Sequence, residues 1–156
     1  MKRRIHVHSN RVEFMFSYGM NTHIASMMLR CRRAKLLGKA TLPNYRLEFR
    51  YHLDIGSSKF DFVEGALWQI DPEDLELMDQ VEGFPEYYTR YKLEPYIHYH
   101  NVYPAWTYFM VNKSPLMFPD QRYLDLVVEG YANNDINMSQ LDYALKRCEL
   151  ENAEIN

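Results

Sequence analysis

The chain has 156 residues, a length typical of one domain and sufficient to form a hydrophobic core without disulfides or metal. Its 47% apolar and 25% charged residues match a globular protein, and its 15% aromatic content argues against intrinsic disorder. A net charge of −3 argues against non-specific nucleic-acid binding, which depends on neutralising phosphate groups.

The chain begins with a basic segment followed by a strand and a helix. Residues 1–11 are predicted to be a loose arm, and residues 12–16 a strand that ends at a Ser-Tyr-Gly turn. Asn21 or Thr22 is predicted to cap a helix that continues to Cys31. Apolar residues recur at helical spacing in that helix, which indicates core packing. They are Ile24, Met27, Met28 and Cys31.

The middle of the chain is dominated by strand patterns. Residues 36–42 and 45–51 are predicted as two strands separated by a turn at Pro43-Asn44. Residues 52–61 are predicted as a loop because they contain Gly-Ser-Ser, and residues 63–70 as the next strand.

The strongest helix start is Asp71-Pro72-Glu73-Asp74, with an aspartate cap, proline in the first position and acids in the first turn. This helix is predicted to end near Gly83 and to bury a stripe of three residues. They are Leu75, Met78 and Val81.

The last third is predicted to contain two strands and two helices, with a loose acidic tail over residues 150–156. The strands are residues 88–96 and 103–111, and the helices are capped by Asp120 and Ser139, with a proline-marked loop over residues 112–119 before them. The mixture predicts one α+β domain over residues 1–156, with mostly antiparallel strands.

The targeting and cysteine patterns favour the cytoplasm. The basic N-terminus has no apolar segment behind it, and the longest uncharged run, residues 95–112, contains two prolines, so we expect neither a signal peptide nor a membrane span. Cys31 and Cys148 fit a reducing compartment, or at most one disulfide.

The first candidate site is the strand-to-helix turn Ser17-Tyr18-Gly19-Met20-Asn21. Glycine allows a tight turn that brings successive N–H groups outward, and the following helix N-terminus adds partial positive charge. The turn could therefore bind a carboxylate, although many such turns are purely structural.

The second candidate is Glu82, at the end of a predicted helix, between apolar neighbours and before Gly83. Both the helix dipole and the apolar neighbours disfavour its charged form, so its pKa should be raised. A raised carboxylate pKa suits a group that accepts and then donates a proton near neutral pH. The alternative is an exposed glutamate in a turn.

Three further features, two histidine pairs, a basic cluster and a set of tyrosines, are weaker candidates for a functional site. His6-x-His8 and His98-x-His100 lack acidic or thiol partners at ligand spacing, so we expect solvated histidines and no metal. The basic cluster at residues 30–35 is predicted to be a solvated face. One or two tyrosines could line a pocket, while most should pack with a wet hydroxyl. The tyrosines in question are Tyr88, Tyr91, Tyr96, Tyr99, Tyr103 and Tyr108.

An ordered set of segments resembles the γ-glutamylcyclotransferase (AIG2-like, BtrG-like) family over residues 12–147. Phe-Ser-Tyr-Gly-Met-Asn at residues 16–21 is similar to the family's Phe-x-Tyr-Gly-Ser-Asn loop. Leu-Met-Asp-Gln-Val-Glu-Gly at residues 77–83 resembles its Leu-Asp-x-x-Glu-Gly motif. Four further segments resemble the family: residues 38–47, residues 63–70 with Gly-x-x-Trp-x-Ile, Tyr88-x-Arg90, and residues 105–108.

The resemblance implies a small mixed β-barrel flanked by helices. It also implies release of 5-oxoproline from a γ-glutamyl amide or amine conjugate, without metal or cofactor. Glu82 would be the general acid/base, and residues 17–21 would bind the substrate, with the backbone N–H groups of residues 18–21 holding its α-carboxylate or the developing oxyanion. Tyr88 and Tyr108 would line the pocket. No nucleic-acid or membrane partner is implied.

One residue departs from the family pattern. Met20 replaces the usual small hydroxyl residue, which removes a side-chain contact and could narrow the pocket. The spacing from Glu82 to Tyr88 resembles the shorter, proline-containing variant of the motif, which is seen in relatives acting on γ-glutamylamines or related conjugates. The alternatives are an inactive member that binds a small molecule or a protein, and an interaction protein that uses its Tyr- and Arg-rich surface.

Overall fold

The computed structural model describes residues 11–155, so nearly all of the predicted N-terminal arm and the His6-x-His8 pair lie outside the described residues. Within that range there are seven strands, one short 3-10 helix and four α-helices. The strands are β1 (Glu13–Ser17), β2 (Lys35–Arg50), β3 (His52–Ile70), β4 (Tyr88–Leu93), β5 (Tyr96–Ile97), β6 (Asn101–Val102) and β7 (Ala105–Met110). The helices are η1 (Met20–Thr22), α1 (Ile24–Arg30), α2 (Pro72–Glu82), α3 (Gln121–Asn133) and α4 (Ser139–Ile155).

The seven strands of this range form one curled, mixed sheet in the order β4-β7-β1-β3-β2-β5-β6. The interior strand β1 pairs antiparallel with β3 and parallel with β7. The other pairings are antiparallel. The predicted α+β domain, a mostly antiparallel sheet flanked by helices, is confirmed, and the sheet is a half-barrel.

Strands β2 and β3 form one long hairpin, so the predicted turn at Pro43-Asn44 and the predicted loop over residues 52–61 are both wrong. Tyr51, with φ of 70°, forms the tight turn of the hairpin. The register shifts between Pro43 and Tyr45, where Asn44 has a φ of 66°. The turn-forming residues therefore mark a bulge, which breaks the ladder locally without ending the strand.

Helix α1 begins one residue after His23, and not after the predicted caps Asn21 or Thr22. The His23 ring accepts a hydrogen bond from the backbone N–H of Ser26 at 3.2 Å. The Asn21 side chain contacts Glu82, and the Thr22 hydroxyl donates to the Gly19 carbonyl at 2.6 Å. Both predicted caps are thus already used in the preceding turn.

The other helices begin within one residue of their predicted starts, although Ser139, predicted as a cap, is the first residue of α4. Pro72 is the first residue of α2, although the Asp71 carboxylate pairs with Arg33 at 3.1 Å and makes no cap hydrogen bond. Asp120 accepts from the N–H of Tyr123 at 2.9 Å and caps α3. Helix α4 continues to Ile155, so the tail predicted to be loose is helical over residues 150–155. In the part of the chain described here, no helix is long and apolar enough to span a bilayer.

The half-barrel has an apolar core on each face. Because side chains alternate along a strand, neighbours Met15 and Phe16 belong to different clusters. The Phe16 cluster packs α3 and α4 against the sheet, and the Met15 cluster packs α1 and α2. Cys31 lies in the second cluster and Cys148 in the first, and both are buried free thiols.

Candidate active site

A cavity of about 200 Å³ lies where β1 ends, beside the start of β3 and the last turn of α2. All eight residues predicted for the site line it. They are Ser17, Tyr18, Gly19, Met20, Asn21, Glu82, Tyr88 and Tyr108. Six more residues complete the wall: Phe16, His52, Leu53, Val81, Tyr87 and Tyr123.

The glycine turn lies against the cavity wall. A Cβ on Gly19 would be 3.1 Å from the Tyr123 hydroxyl and 3.7 Å from the Leu53 Cβ, so glycine permits this close approach. The Gly19 carbonyl accepts from the N–H of Thr22 at 3.1 Å, which closes the turn into η1. The turn thereby presents residues 19–21 to the cavity.

Glu82 is the last residue of α2, and Gly83 ends the helix in the left-handed conformation with φ of 66°. Its Oε1 accepts a hydrogen bond from Asn21 Nδ2 at 2.7 Å. Burial raises the pKa of Glu82, while the Asn21 hydrogen bond and the positive charge of Arg30 oppose that rise. The predicted direction of the pKa shift is confirmed, and the alternative of an exposed turn glutamate is wrong.

The tyrosine hydroxyls of the cavity donate to protein acceptors. Tyr18 donates to the Tyr108 carbonyl at 2.6 Å, and Tyr88 donates to the Leu53 carbonyl at 2.7 Å. Burial is the main cause that raises the pKa of both phenols. These hydroxyls are therefore neutral near pH 7, and their oxygens can still accept a hydrogen bond from a ligand.

Tyr108 connects the cavity to an ion pair behind it. Its hydroxyl donates to Asp79 Oδ1 at 2.7 Å, and Arg90 binds both oxygens of Asp79 at 2.7 and 3.0 Å. The Arg90 guanidinium lies 4.2 Å from the centroid of the Trp106 ring. In Tyr88-x-Arg90, Tyr88 therefore lines the cavity, and Arg90 holds the Asp79 carboxylate that accepts from Tyr108.

The wall contains residues that the sequence did not indicate. His52 and Leu53 lie in the segment predicted as a loop, and Tyr123 comes from α3. Val81 was assigned to a buried stripe, but it is 45% exposed and borders the cavity. Only the tyrosine content offered a signal for Tyr87 or Tyr123, because these residues meet the site through tertiary contacts.

Met20 does not fill the cavity. Its sulfur lies 4.0 Å from Arg30 Nη2, and about 200 Å³ remains open beside it. The Ser17 hydroxyl is buried, with the residue 6% exposed, and has no hydrogen-bond partner within the described structure. Among residues 11–155, no three or more His, Cys, Asp or Glu side chains are grouped so that they could hold a metal.

Comparison with protein families adds the decisive observation. The sequence model of the family described as gamma-glutamyl cyclotransferase, AIG2-like, matches residues 15–130, which include every cavity-lining residue. The chain belongs to this family. No curated protein matches the sequence.

Solved structures share the fold at low sequence identity. A structure named gamma-glutamyl cyclotransferase has 21% identity and a TM-score of 0.76, covering 88% of this chain and 86% of its own. An uncharacterized protein from Homo sapiens has 21% identity and a TM-score of 0.75, covering 87% and 86%. An AIG2-like protein from Mus musculus has 17% identity and a TM-score of 0.60, covering 74% and 84%.

Proposed function

We propose that this protein is a γ-glutamylcyclotransferase that releases 5-oxoproline from a γ-glutamyl amide or amine conjugate. The observation that carries the proposal is the half-buried Glu82 carboxyl group, which shares one cavity with the glycine turn. Family membership supports the same reaction class. The substrate's own α-amine is the nucleophile, so the protein has only to hold it in attack geometry and move protons.

Glu82 is the proposed general acid/base. Its carboxylate removes a proton from the α-ammonium, and the freed amine attacks the γ-carbonyl carbon. The bond to the leaving nitrogen then breaks, and Glu82 returns the proton to that nitrogen. The attacking nitrogen still carries one proton more than the nitrogen of 5-oxoproline. It releases this proton to solution, where the released amine becomes protonated. The raised pKa of Glu82 brings its two protonation states closer in free energy, which favours such a shuttle.

The glycine turn is the proposed anion site. Backbone N–H groups of residues 18–21 would bind the α-carboxylate or the developing oxyanion. The unpaired Ser17 hydroxyl supports a polar ligand in the same place. A buried hydroxyl without a partner has lost its hydrogen bonds to water, and a ligand could replace them. Tyr88 and Tyr108 would form the side wall. The cavity suits a small molecule, which is the partner we propose.

The test is product analysis with a panel of γ-glutamyl dipeptides and γ-glutamylamines. We expect wild-type protein to form 5-oxoproline from at least one compound, measured by mass spectrometry, and Glu82→Gln to lose this activity. Glu86→Gln is the matched control, because Glu86 is an exposed glutamate four residues further on. Absence of product from the whole panel would contradict the proposal.

The second candidate is a binding protein that keeps the cavity but has no turnover. Met20, in place of a small hydroxyl residue, favours this alternative because it removes one side-chain contact. It predicts saturable binding of a γ-glutamyl compound, measured by calorimetry, without 5-oxoproline. We also propose a cytoplasmic location, which the two free thiols support.

A further inference from the structure

We propose that Arg30 is a positioning residue for Glu82 and acts through the side-chain amide of Asn21. The inference rests on the proposed role of Glu82 as acid/base. Arg30 ends α1, Asn21 lies in η1, and Glu82 ends α2, so the chain of contacts joins three helices around the cavity.

The hydrogen bonds fix the orientation of the Asn21 amide. Arg30 Nη1 donates to Asn21 Oδ1, and Asn21 Nδ2 donates to Glu82 Oε1 at 2.7 Å. A guanidinium only donates and a carboxylate only accepts, so the amide fits between them in one orientation. Rotating it by 180° would turn its oxygen toward the Glu82 carboxylate and its NH₂ toward Arg30. Arg30 therefore keeps the N–H of Asn21 directed at the proposed base.

The surroundings of Asn21 make this arrangement rigid. The residue is 9% exposed, and its backbone carbonyl accepts from Trp68 Nε1 at 3.0 Å. Over residues 11–155, Arg30 makes no salt bridge with a carboxylate, unlike Arg90, which pairs with Asp79. Its polar contacts are with Asn21 and, at 4.0 Å, with the sulfur of Met20. The guanidinium is thus directed at the glycine turn and, through it, at Glu82.

Arg30 is also the positive charge that counters the burial of Glu82. Burial raises the pKa of Glu82, and Arg30 lowers it. The phenols that line the cavity are neutral near pH 7, since their pKa values are raised. Burial lowers the pKa of His52, which favours its neutral form, and Asp79 on α2 is paired with Arg90. Removal of Arg30 should therefore raise the pKa of Glu82 further.

The experiment measures the titration of Glu82 directly, by ¹³C NMR of labelled glutamate carboxyl groups assigned with Glu82→Gln. We expect Arg30→Met to raise the pKa of Glu82 and Arg30→Lys to restore it in part, because lysine keeps the charge but not the planar fork. Arg32→Met is the control, because Arg32 is exposed in the same segment, and it should leave the titration unchanged.

Kinetics supply the second measurement. We expect Arg30→Met to lower kcat about tenfold at neutral pH, the effect of one lost hydrogen bond to a charged group, and to move the acidic limb to higher pH. An unchanged Glu82 titration in folded Arg30→Met would overturn the inference. If that variant does not fold, Arg30→Gln, which keeps a donor but not the charge, replaces it in the same comparison. The NMR titration tests the role of Arg30 even if no substrate is turned over. Absence of turnover would contradict the proposed function and not the effect of Arg30 on Glu82.

Discussion

Asp54 is fully buried and Glu82 is partly buried, and the partners of the two carboxyl groups differ. Asp54, on β3, is 0% exposed and accepts from the N–H of Met110 at 3.0 Å and from Lys113 Nζ at 2.6 Å. Arg50 lies 3.4 Å from the same carboxylate. Among residues 11–155, Glu82 accepts a hydrogen bond only from the neutral amide of Asn21, and it lines the cavity.

This difference is the reason why we assign proton transfer to Glu82 and a structural role to Asp54. The charge of a buried carboxylate that has two cations and a backbone donor is compensated, and its loss would remove the carboxylate that pairs with Lys113 and one of the two that pair with Arg50. The charge of Glu82 is less fully compensated, because its hydrogen bond comes from a neutral amide and the Arg30 cation contacts that amide and not the carboxylate, so protonation of Glu82 costs less. The partners of each group, rather than burial alone, determine the role we assign to it.

The largest expected effect is on catalysis at Glu82. Glu82→Gln keeps the shape of the side chain but cannot accept a proton, so we expect kcat to fall by about 10²–10⁴-fold, the usual contribution of a general acid/base. Thermal unfolding measured on the same sample should show an intact fold. Substantial residual activity of Glu82→Gln would contradict the assignment of Glu82 as the general acid/base.

The next effect is on stability at Asp54. Asp54→Asn removes the carboxylate that pairs with Lys113, while Arg50 keeps its ion pair with Glu48, so we expect the free energy of unfolding to fall by about 2 kcal/mol, measured with urea. Asp61→Asn is the matched control, because Asp61 is an exposed aspartate on the same strand. Equal stability of the two variants would show that the ion pairs around Asp54 contribute little.

The third prediction concerns the pH dependence of stability. The pKa of Glu82 is raised in the folded state, so its contribution to stability is present below the pKa of glutamate in the unfolded chain and is lost as pH rises through the folded value. Glu82→Gln should therefore be more stable than wild type at neutral pH, and the gap should close in acid. Urea unfolding at several pH values measures this. A gap that is constant with pH would contradict the raised pKa.

The glycine turn and Glu82 could be predicted from sequence because local rules determine both. Gly83 ends a helix with a clear start at Asp71-Pro72, which places Glu82 at its last position. The amide between Glu82 and Arg30 could not be predicted, since Asn21 and Glu82 are 61 residues apart and meet only through the fold.

The first half of strand β3, residues 52–61, was not predicted for a different reason, whereas its second half was predicted correctly. Its segment over residues 56–61 is polar and largely exposed, so it lacks the apolar alternation by which strands are recognised. Backbone pairing with β2 makes this segment a strand, although its side chains do not indicate one. Because His52 and Leu53 begin this strand, the error in secondary structure also concealed two residues of the cavity wall.

Asp79 provides the intermediate case and the smallest effect. It has one cation, Arg90, and one phenol, Tyr108, so it lies between Asp54 and Glu82 in compensation. Tyr108→Phe removes one hydrogen bond and leaves the bidentate Arg90 contact, so we expect a loss of about 1 kcal/mol in the free energy of unfolding. Tyr143→Phe, at an exposed position on α4, is the control and should change nothing. If Tyr108→Phe lost as much stability as Asp54→Asn, the phenol would stabilise Asp79 more than Arg90 does. That result would contradict the order of the three carboxyl groups, which is based on how far cations compensate their charge.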